Sequence, residues 1–251
     1  MLNGTVLSKA QTRRWMHSAT FASDVNVGVG APWEIFRAQV GGQTVDIYTK
    51  SGGLGAYATL FVLVPDYEFG FSILTASTIG EGTTVALVYF IAEMIGSTVL
   101  PVLEKVAKDQ AKATFAGHYA ASNLNSSLTI TVDDQPGLRV IDWVSNGTDF
   151  LEKFGHTSDG TYVDFRIQPN QLYTGNKVGF NGVSQILPAQ IYSGPLRLNC
   201  LSWTNVDRAN YGNVGIGEFA FEIDPATGNA TSVQPKALRI NLERKGEAKD
   251  A

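Results

Sequence analysis

Cysteine, histidine and charge are all scarce in this 251-residue sequence. A single cysteine, Cys200, leaves no partner for an intrachain disulfide. Three histidines, His17, His118 and His156, lie too far apart along the chain for a zinc-type ligand spacing, so neither a structural metal nor a cofactor is expected. Charged residues make up 17%, and 19 Lys and Arg stand against 23 Asp and Glu, so no basic field exists to hold a phosphate backbone. Nucleic acid is not an expected partner. The residues after Met1, Leu2-Asn3-Gly4-Thr5, have neither the basic start nor the apolar run of a secretory signal. The expected location is therefore cytoplasmic if Met1 is the true start, and secreted if a signal-bearing N-terminal half is missing.

What is present is a folding composition, with 44% hydrophobic residues and 26 glycines, at a length that allows one large domain or two ordinary ones. Ser8 before Lys9-Ala10-Gln11 predicts the start of a short helix. Trp33–Arg37 and Val45–Thr49 read as strands. Ala58–Val64 and Phe69–Leu74 read as a hairpin split by Pro65-Asp66-Tyr67. From Thr83 to about Lys112 the period changes to that of a helix, with Pro101 as an expected kink or break. Val85 to Leu103 holds one charge in 19 residues, which raises the question of a membrane span. A charge such as Glu93 at the middle of a span costs about 2.5–3.5 kcal/mol, and Gly96 and Pro101 add backbone defects, so a buried core helix is expected and no span.

Beyond Lys112 the pattern is all β. Strands are expected at 127–132, 137–143, 161–167, 196–203, 217–223 and 237–242. Turns are expected at Asp134–Gly137, Asn146-Gly147, Ser158–Gly160, Asn181-Gly182 and Asp224–Gly228. In Glu218–Asp224 the apolar side chains alternate strictly with the others, as on a strand with one buried face. This half is expected to be an antiparallel sandwich or barrel.

The stretch richest in chemistry is Thr49-Lys50-Ser51-Gly52-Gly53-Leu54-Gly55, read as a joint between two strands. Without a following helix it cannot cradle phosphate as a glycine loop does. Lys-Ser-Gly at a strand edge is instead the third motif of the serine β-lactamase and penicillin-binding-protein class. Around it, Gly30-Ala-Pro-Trp-Glu-Ile-Phe-Arg37, Val45–Gly53 and Leu63–Tyr67 resemble the last strands of the fungal β-lactamase-like serine hydrolases. Phe115–Tyr119, Pro136–Leu138, Trp143 with Asn146–Asp149, Asp164–Arg166 and Cys200–Trp203 with Asp207 and Tyr211 resemble the all-β domain appended to them.

The resemblance implies an α+β fold in two parts. Residues 1–112 would be a partial β-lactamase-like domain with an antiparallel sheet and its C-terminal helix. Residues 113–246 would be an all-β sandwich or lipocalin-like barrel, and 247–251 a charged tail. It further implies a substrate-binding wall made of Lys50, Ser51, Gly52 and Gly53. In that wall the cation and hydroxyl meet a carboxylate or leaving group of a small acyl ligand, and the Gly53 amide is one oxyanion donor. A fungal secondary-metabolite context also follows from the resemblance.

The family's nucleophile motif, Ser-x-x-Lys, is absent: no lysine is preceded three residues earlier by serine. Tyr211-Gly212-Asn213 matches the family's Tyr-x-Asn but lies out of order, after the Lys-Ser-Gly motif, and reads as a coincidence. No Gly-x-Ser-x-Gly elbow replaces the serine. The expected function is that of a truncated serine-hydrolase relative with no catalytic residues of its own. The alternative is a non-catalytic ligand-binding or accessory protein. With its sheet edge uncovered at Phe69–Leu74, the chain is expected to associate with itself or with a partner chain.

Other polar and aromatic groups read as structural. Glu218 and Glu222 lie about 13 Å apart along a strand at ~3.3 Å per residue, beyond the ~5–9.5 Å between glycosidase carboxyls, so they and Asp224 are expected on a solvated face. Trp33, Trp143 and Trp203 are expected in cores, and Cys200 as an inert buried thiol. Asn3, Asn125, Asn146 and Asn229 open sequons that matter only in a secretory compartment.

Overall fold

Ser8 caps the first helix, α1 (Lys9–Trp15), through a reciprocal pair: its hydroxyl accepts from the Gln11 amide at 3.3 Å, and the Gln11 side chain accepts from the Ser8 amide at 3.0 Å. The computed structural model describes residues 6–154, 163–186 and 209–248, and the chain divides into two units, Met1–Ala107 and Lys108–Ala251.

The first unit is an antiparallel meander of β1 (Thr20–Phe21), β2 (Val27–Val29), β3 (Glu34–Val40), β4 (Gln43–Leu54), β5 (Tyr57–Val64) and β6 (Phe69–Ala76), paired in that order. A two-residue turn at Gly41-Gly42, both with positive φ, joins β3 to β4 and sets their register, placing Glu34 opposite Thr49. Pro65–Tyr67 forms a 3-10 turn between β5 and β6, the hairpin expected from sequence.

Helix α2 (Glu81–Phe115) then runs continuously through Pro101, so of the expected kink or break the break does not occur. Pro101 removes the amide that would bond the Ser97 carbonyl, yet the remaining helical bonds hold the segment in register. On the sheet-facing side Thr84, Val88, Leu100 and Glu104 are buried over Val45, Leu60, Val62 and Val64. Glu104 accepts from Gln43 and from the Tyr67 hydroxyl, each at 2.8 Å, tying the helix to β4 and the turn. Burial and the Glu104 carboxylate both push the Tyr67 hydroxyl pKa upward.

The expectation of a buried core helix holds for that side alone. By length and composition alone α2 is long and apolar enough to cross a membrane, and only 11% of its most apolar stretch is buried. Phe90, Met94, Val102 and Val106 are exposed.

The second unit closes on itself. Its strands are β7 (Gly117–Ala120), β8 (Ser127–Thr131), β9 (Leu138–Ser145), β10 (Thr148–Asp149), β11 (Val163–Thr174), β12 (Lys177–Ile186), β13 (Asn210–Tyr211), β14 (Val214–Gly215), β15 (Glu218–Ile223), β16 (Ala230–Pro235) and β17 (Leu242–Gly246), with a short helix α3 (Phe150–Phe154) after β10. The order β9-β11-β12-β15-β16-β17-β7-β8 returns to β9, giving an antiparallel barrel of eight strands, so the barrel alternative is the observed one. Eight strands leave a bore that side chains fill. Tyr119, Trp143, Phe165, Phe180, Phe219 and Phe221 fill it here, with Trp143 5.3 Å from Phe219 and 5.4 Å from Phe165.

Buried Arg166 binds Asp133 bidentately at 2.6 and 2.8 Å and Asp164 at 2.5 Å. Its hydrogen bond holds the Asp133 carboxyl below its ordinary value. Arg244 donates to the carbonyls of Ala113, Thr114 and Ala116, closing the C-terminus of α2.

Two expected elements are overturned. Asn181-Gly182 is not a turn but the middle of β12, where a Cβ on Gly182 would sit 2.3 Å from the Phe165 ring; the turn is at Gly175-Asn176. Residues 237–242 are not a strand either. Lys236–Leu238 forms a 3-10 turn, Arg239 takes φ 54°, and extended structure resumes at Leu242. Asn146-Gly147 and the Asp224–Gly228 turn are as expected. The expected strand 196–203, the Ser158–Gly160 turn, Cys200, Trp203 and His156 lie outside the described residues.

Candidate functional site

Lys50-Ser51-Gly52-Gly53 lies within β4 rather than in a joint, paired with residues 58–61 of β5. On the other side of β4, β3 reaches only to Glu34 opposite Thr49. From Lys50 to Leu54, therefore, β4 has no strand neighbour on that side among the described residues. Ser51 points its amide there, to Glu34 Oε2 at 3.2 Å. Successive strand amides alternate in direction, so the Gly53 amide points to the same open side.

Gly52 allows close packing against β5: a Cβ at this position would lie 2.9 Å from Thr59 Oγ1.

Glu34 organises the polar end of this strand, and the sequence reading did not single it out. Its carboxylate accepts from Lys50 Nζ at 2.6 Å, from Ser51 Oγ at 2.8 Å, from the Ser51 amide, and from the Tyr89 hydroxyl of α2 at 3.0 Å. Buried Thr49 donates to the Glu34 carbonyl at 2.9 Å. Burial raises the Glu34 pKa, but the hydrogen bonds from Lys50, Ser51 and Tyr89 outweigh it and hold the carboxyl below its ordinary value. Burial, and after it the Glu34 carboxylate, raise the Tyr89 pKa. The signal that finds Glu34 is the Gly41-Gly42 turn, since a two-residue hairpin fixes which residue faces Thr49.

Beside this cluster, Thr49 and Tyr89 also line a cavity of about 550 Å³ between α2 and the sheet. Its walls are mostly apolar, among them Phe36, Ile47, Val62, Phe69 and Phe71, with Glu93 and Ser97 contributed by the helix.

A family model described as "Beta-lactamase-like-like, C-terminal domain" matches residues 107–246. The chain belongs to the β-lactamase-like family. It is 26% identical to a "Beta-lactamase-like protein" of Arthroderma benhamiae over 98% of this chain and 46% of that protein. It is 22% identical to "Probable hydrolase clz13" of Cochliobolus lunatus over 97% of this chain and 42% of that protein. A "Beta-lactamase-like protein str6" of Strobilurus tenacellus is 30% identical over 55% of this chain and 45% of its own length. This β-lactamase-like chain thus spans less than half the length of these curated relatives. Among solved structures, the octameric penicillin-binding protein homologue from Pyrococcus abyssi is similar at 16% identity over 70% of this chain and 40% of that one. The TM-score is 0.28.

The remaining sequence candidates have structural places. Trp33 and Trp143 are core residues. Tyr211 ends β13, and Gly212-Asn213, both with positive φ, form the tight turn to β14. Glu218 pairs with Lys236 at 3.0 Å and Glu222 with Lys177 at 3.7 Å on partly exposed positions. Asp224 accepts from the Ala226 amide and the Thr227 hydroxyl in its turn. His118 Nδ1 lies 3.0 Å from Thr129 Oγ1.

Proposed function

We propose that this β-lactamase-like chain carries one wall of an acyl-hydrolase site, formed by Lys50, Ser51, Gly52 and Gly53, and no nucleophile of its own. The observation that supports this most is the placement of the four residues on β4 where β3 has ended, so that a ligand lies against an unpaired strand edge. Lys50 orients the acyl group with Ser51 beside it, Gly52 gives close approach, and the Gly53 amide offers one donor to a developing oxyanion. Without a serine and its base, what remains is donor placement and binding, which leaves only a small residual over the uncatalysed rate. The test is the intact mass after incubation with an acylating serine-hydrolase probe. An unmodified chain is expected, and a stable stoichiometric adduct overturns the reading.

The wall reading implies that the first unit is completed by association. Among the described residues β6 is an eight-residue edge strand without a charge or a proline, the pattern that templates pairing with another strand, and the exposed side of α2 adds Phe90, Met94, Val102 and Val106. Association with a second copy or another chain covers both. A second reading, a non-catalytic ligand-binding or accessory protein in a fungal secondary-metabolite pathway, is favoured by the apolar cavity beside α2, whose size suits a small ligand. A ligand-induced rise in Tm without turnover distinguishes it.

A further inference from the structure

The donors of the Lys50–Gly53 strand are largely committed within the chain, and the group that holds them is a carboxylate. An ammonium has three N–H groups. One from Lys50 goes to Glu34 Oε1 at 2.6 Å and a second to the Ser51 carbonyl at 2.9 Å. The single hydroxyl hydrogen of Ser51 goes to Glu34 Oε1 at 2.8 Å, and its amide hydrogen to Glu34 Oε2. From the helix side the Tyr89 hydroxyl holds the same Oε2. Two donors remain toward the open side of β4: the third N–H of Lys50, whose side chain is 47% exposed, and the Gly53 amide. The nearest charges to a ligand there, Lys50 and Glu34, cancel.

We propose that Glu34 is a specificity-determining residue, which occupies the place a ligand carboxylate would take on Lys50 and Ser51, so that the wall receives a neutral ester or amide carbonyl in preference to a free acid. This rests on reading Lys50–Gly53 as a site wall, and it narrows the carboxylate or acyl ligand expected from sequence to the acyl one. A second carboxylate on the same ammonium meets the Glu34 charge at short range. To enter, it has to displace Glu34 from the donors of Lys50, Ser51 and Tyr89 together. A carbonyl oxygen carries no net charge and needs only the two donors that are left.

Phenylacetamide and phenylacetate are close in shape and differ in the charge of the carbonyl group, and serve as probes, with binding to the full chain read from the Gly53 and Ser51 amide shifts in 15N spectra. The wild type is expected to bind phenylacetamide at least tenfold more tightly than phenylacetate. Glu34→Gln, which keeps the shape and removes the charge, is expected to tighten phenylacetate at least tenfold at low salt and to leave phenylacetamide within twofold. Phenylacetate bound by the wild type as tightly as phenylacetamide, and weakened by Lys50→Met, overturns the role of Glu34 while leaving the wall in place. If neither probe shifts these amides, or Lys50→Met changes nothing, the wall reading fails and the inference with it. Should Glu34→Gln not fold, the wild-type comparison decides by itself.

Discussion

The two units treat their apolar surface in opposite ways. In the second, eight strands close into a barrel, every barrel strand has two neighbours, and the large aromatic side chains point into the bore. In the first, six strands form an open meander whose last strand, β6, has no strand neighbour on one side among the described residues. The exposed large apolar residues are concentrated there, with Leu74, Phe90, Met94 and Val102 each more than half exposed. A closed barrel satisfies its backbone and hides its core without help. An open sheet with a half-covered helix leaves strand edge and apolar side chains for a partner to cover, which is the association proposed above. The polar cluster of Lys50, Ser51 and Glu34 sits on the open unit, so the chemistry proposed for this chain belongs to the unit with the more exposed apolar surface.

The sharpest way to break this comparison is to make similar changes in both units. In the barrel, Phe221→Ala removes an aromatic packed against Phe115 and Phe180 at 5.1 and 5.0 Å, and is expected to cost about 3–5 kcal/mol in urea denaturation. Arg166→Met takes one of the two arginines from the buried Asp164 carboxylate, leaving Arg139 at 2.9 Å, and frees Asp133; it is expected to cost about 3 kcal/mol, with partial recovery when Asp164→Asn is added. In the first unit, Tyr67→Phe takes one hydrogen bond from buried Glu104 and is expected to cost about 1.5–3 kcal/mol.

A smaller effect is expected at Glu34. Its folded pKa lies below the ordinary 4.5, so its contribution to stability is fully present above that value and is lost as pH falls through the lower folded value. Glu34→Gln is expected to flatten this acid limb in a pH series of urea midpoints and to leave the neutral-to-alkaline limb unchanged. The smallest change in chain stability, within about 0.5 kcal/mol, is expected for Phe90→Ser on the exposed side of α2.

Local chemistry was legible in the sequence wherever a few neighbouring residues decide the backbone. Ser8 with Gln11, the Pro65–Tyr67 turn, Asn146-Gly147 and the alternation of Glu218–Asp224 all produce the elements they announce. Non-local packing was not legible. Gly182 looks like a turn residue but is a space reserved for the Phe165 ring, supplied by a neighbouring strand. Barrel closure depends on β8 meeting β9 as well as β7, which no local pattern encodes. The Lys50–Gly53 motif was visible as a motif. Its pairing with Glu34 crosses a hairpin and emerges only once the Gly41-Gly42 register is applied. The apolar period of α2 gave the helix but not which side would be covered, since covering depends on what else packs there.

Sedimentation velocity over a concentration series, on the wild type and on the double variant Leu74→Lys/Phe90→Ser, tests most directly the claim that the first unit is open. The account predicts a wild-type mass that rises above that of a single chain with concentration. It predicts a variant that stays at the single-chain mass with an unchanged Tm. A wild type that remains folded and strictly monomeric at the highest concentration would contradict it.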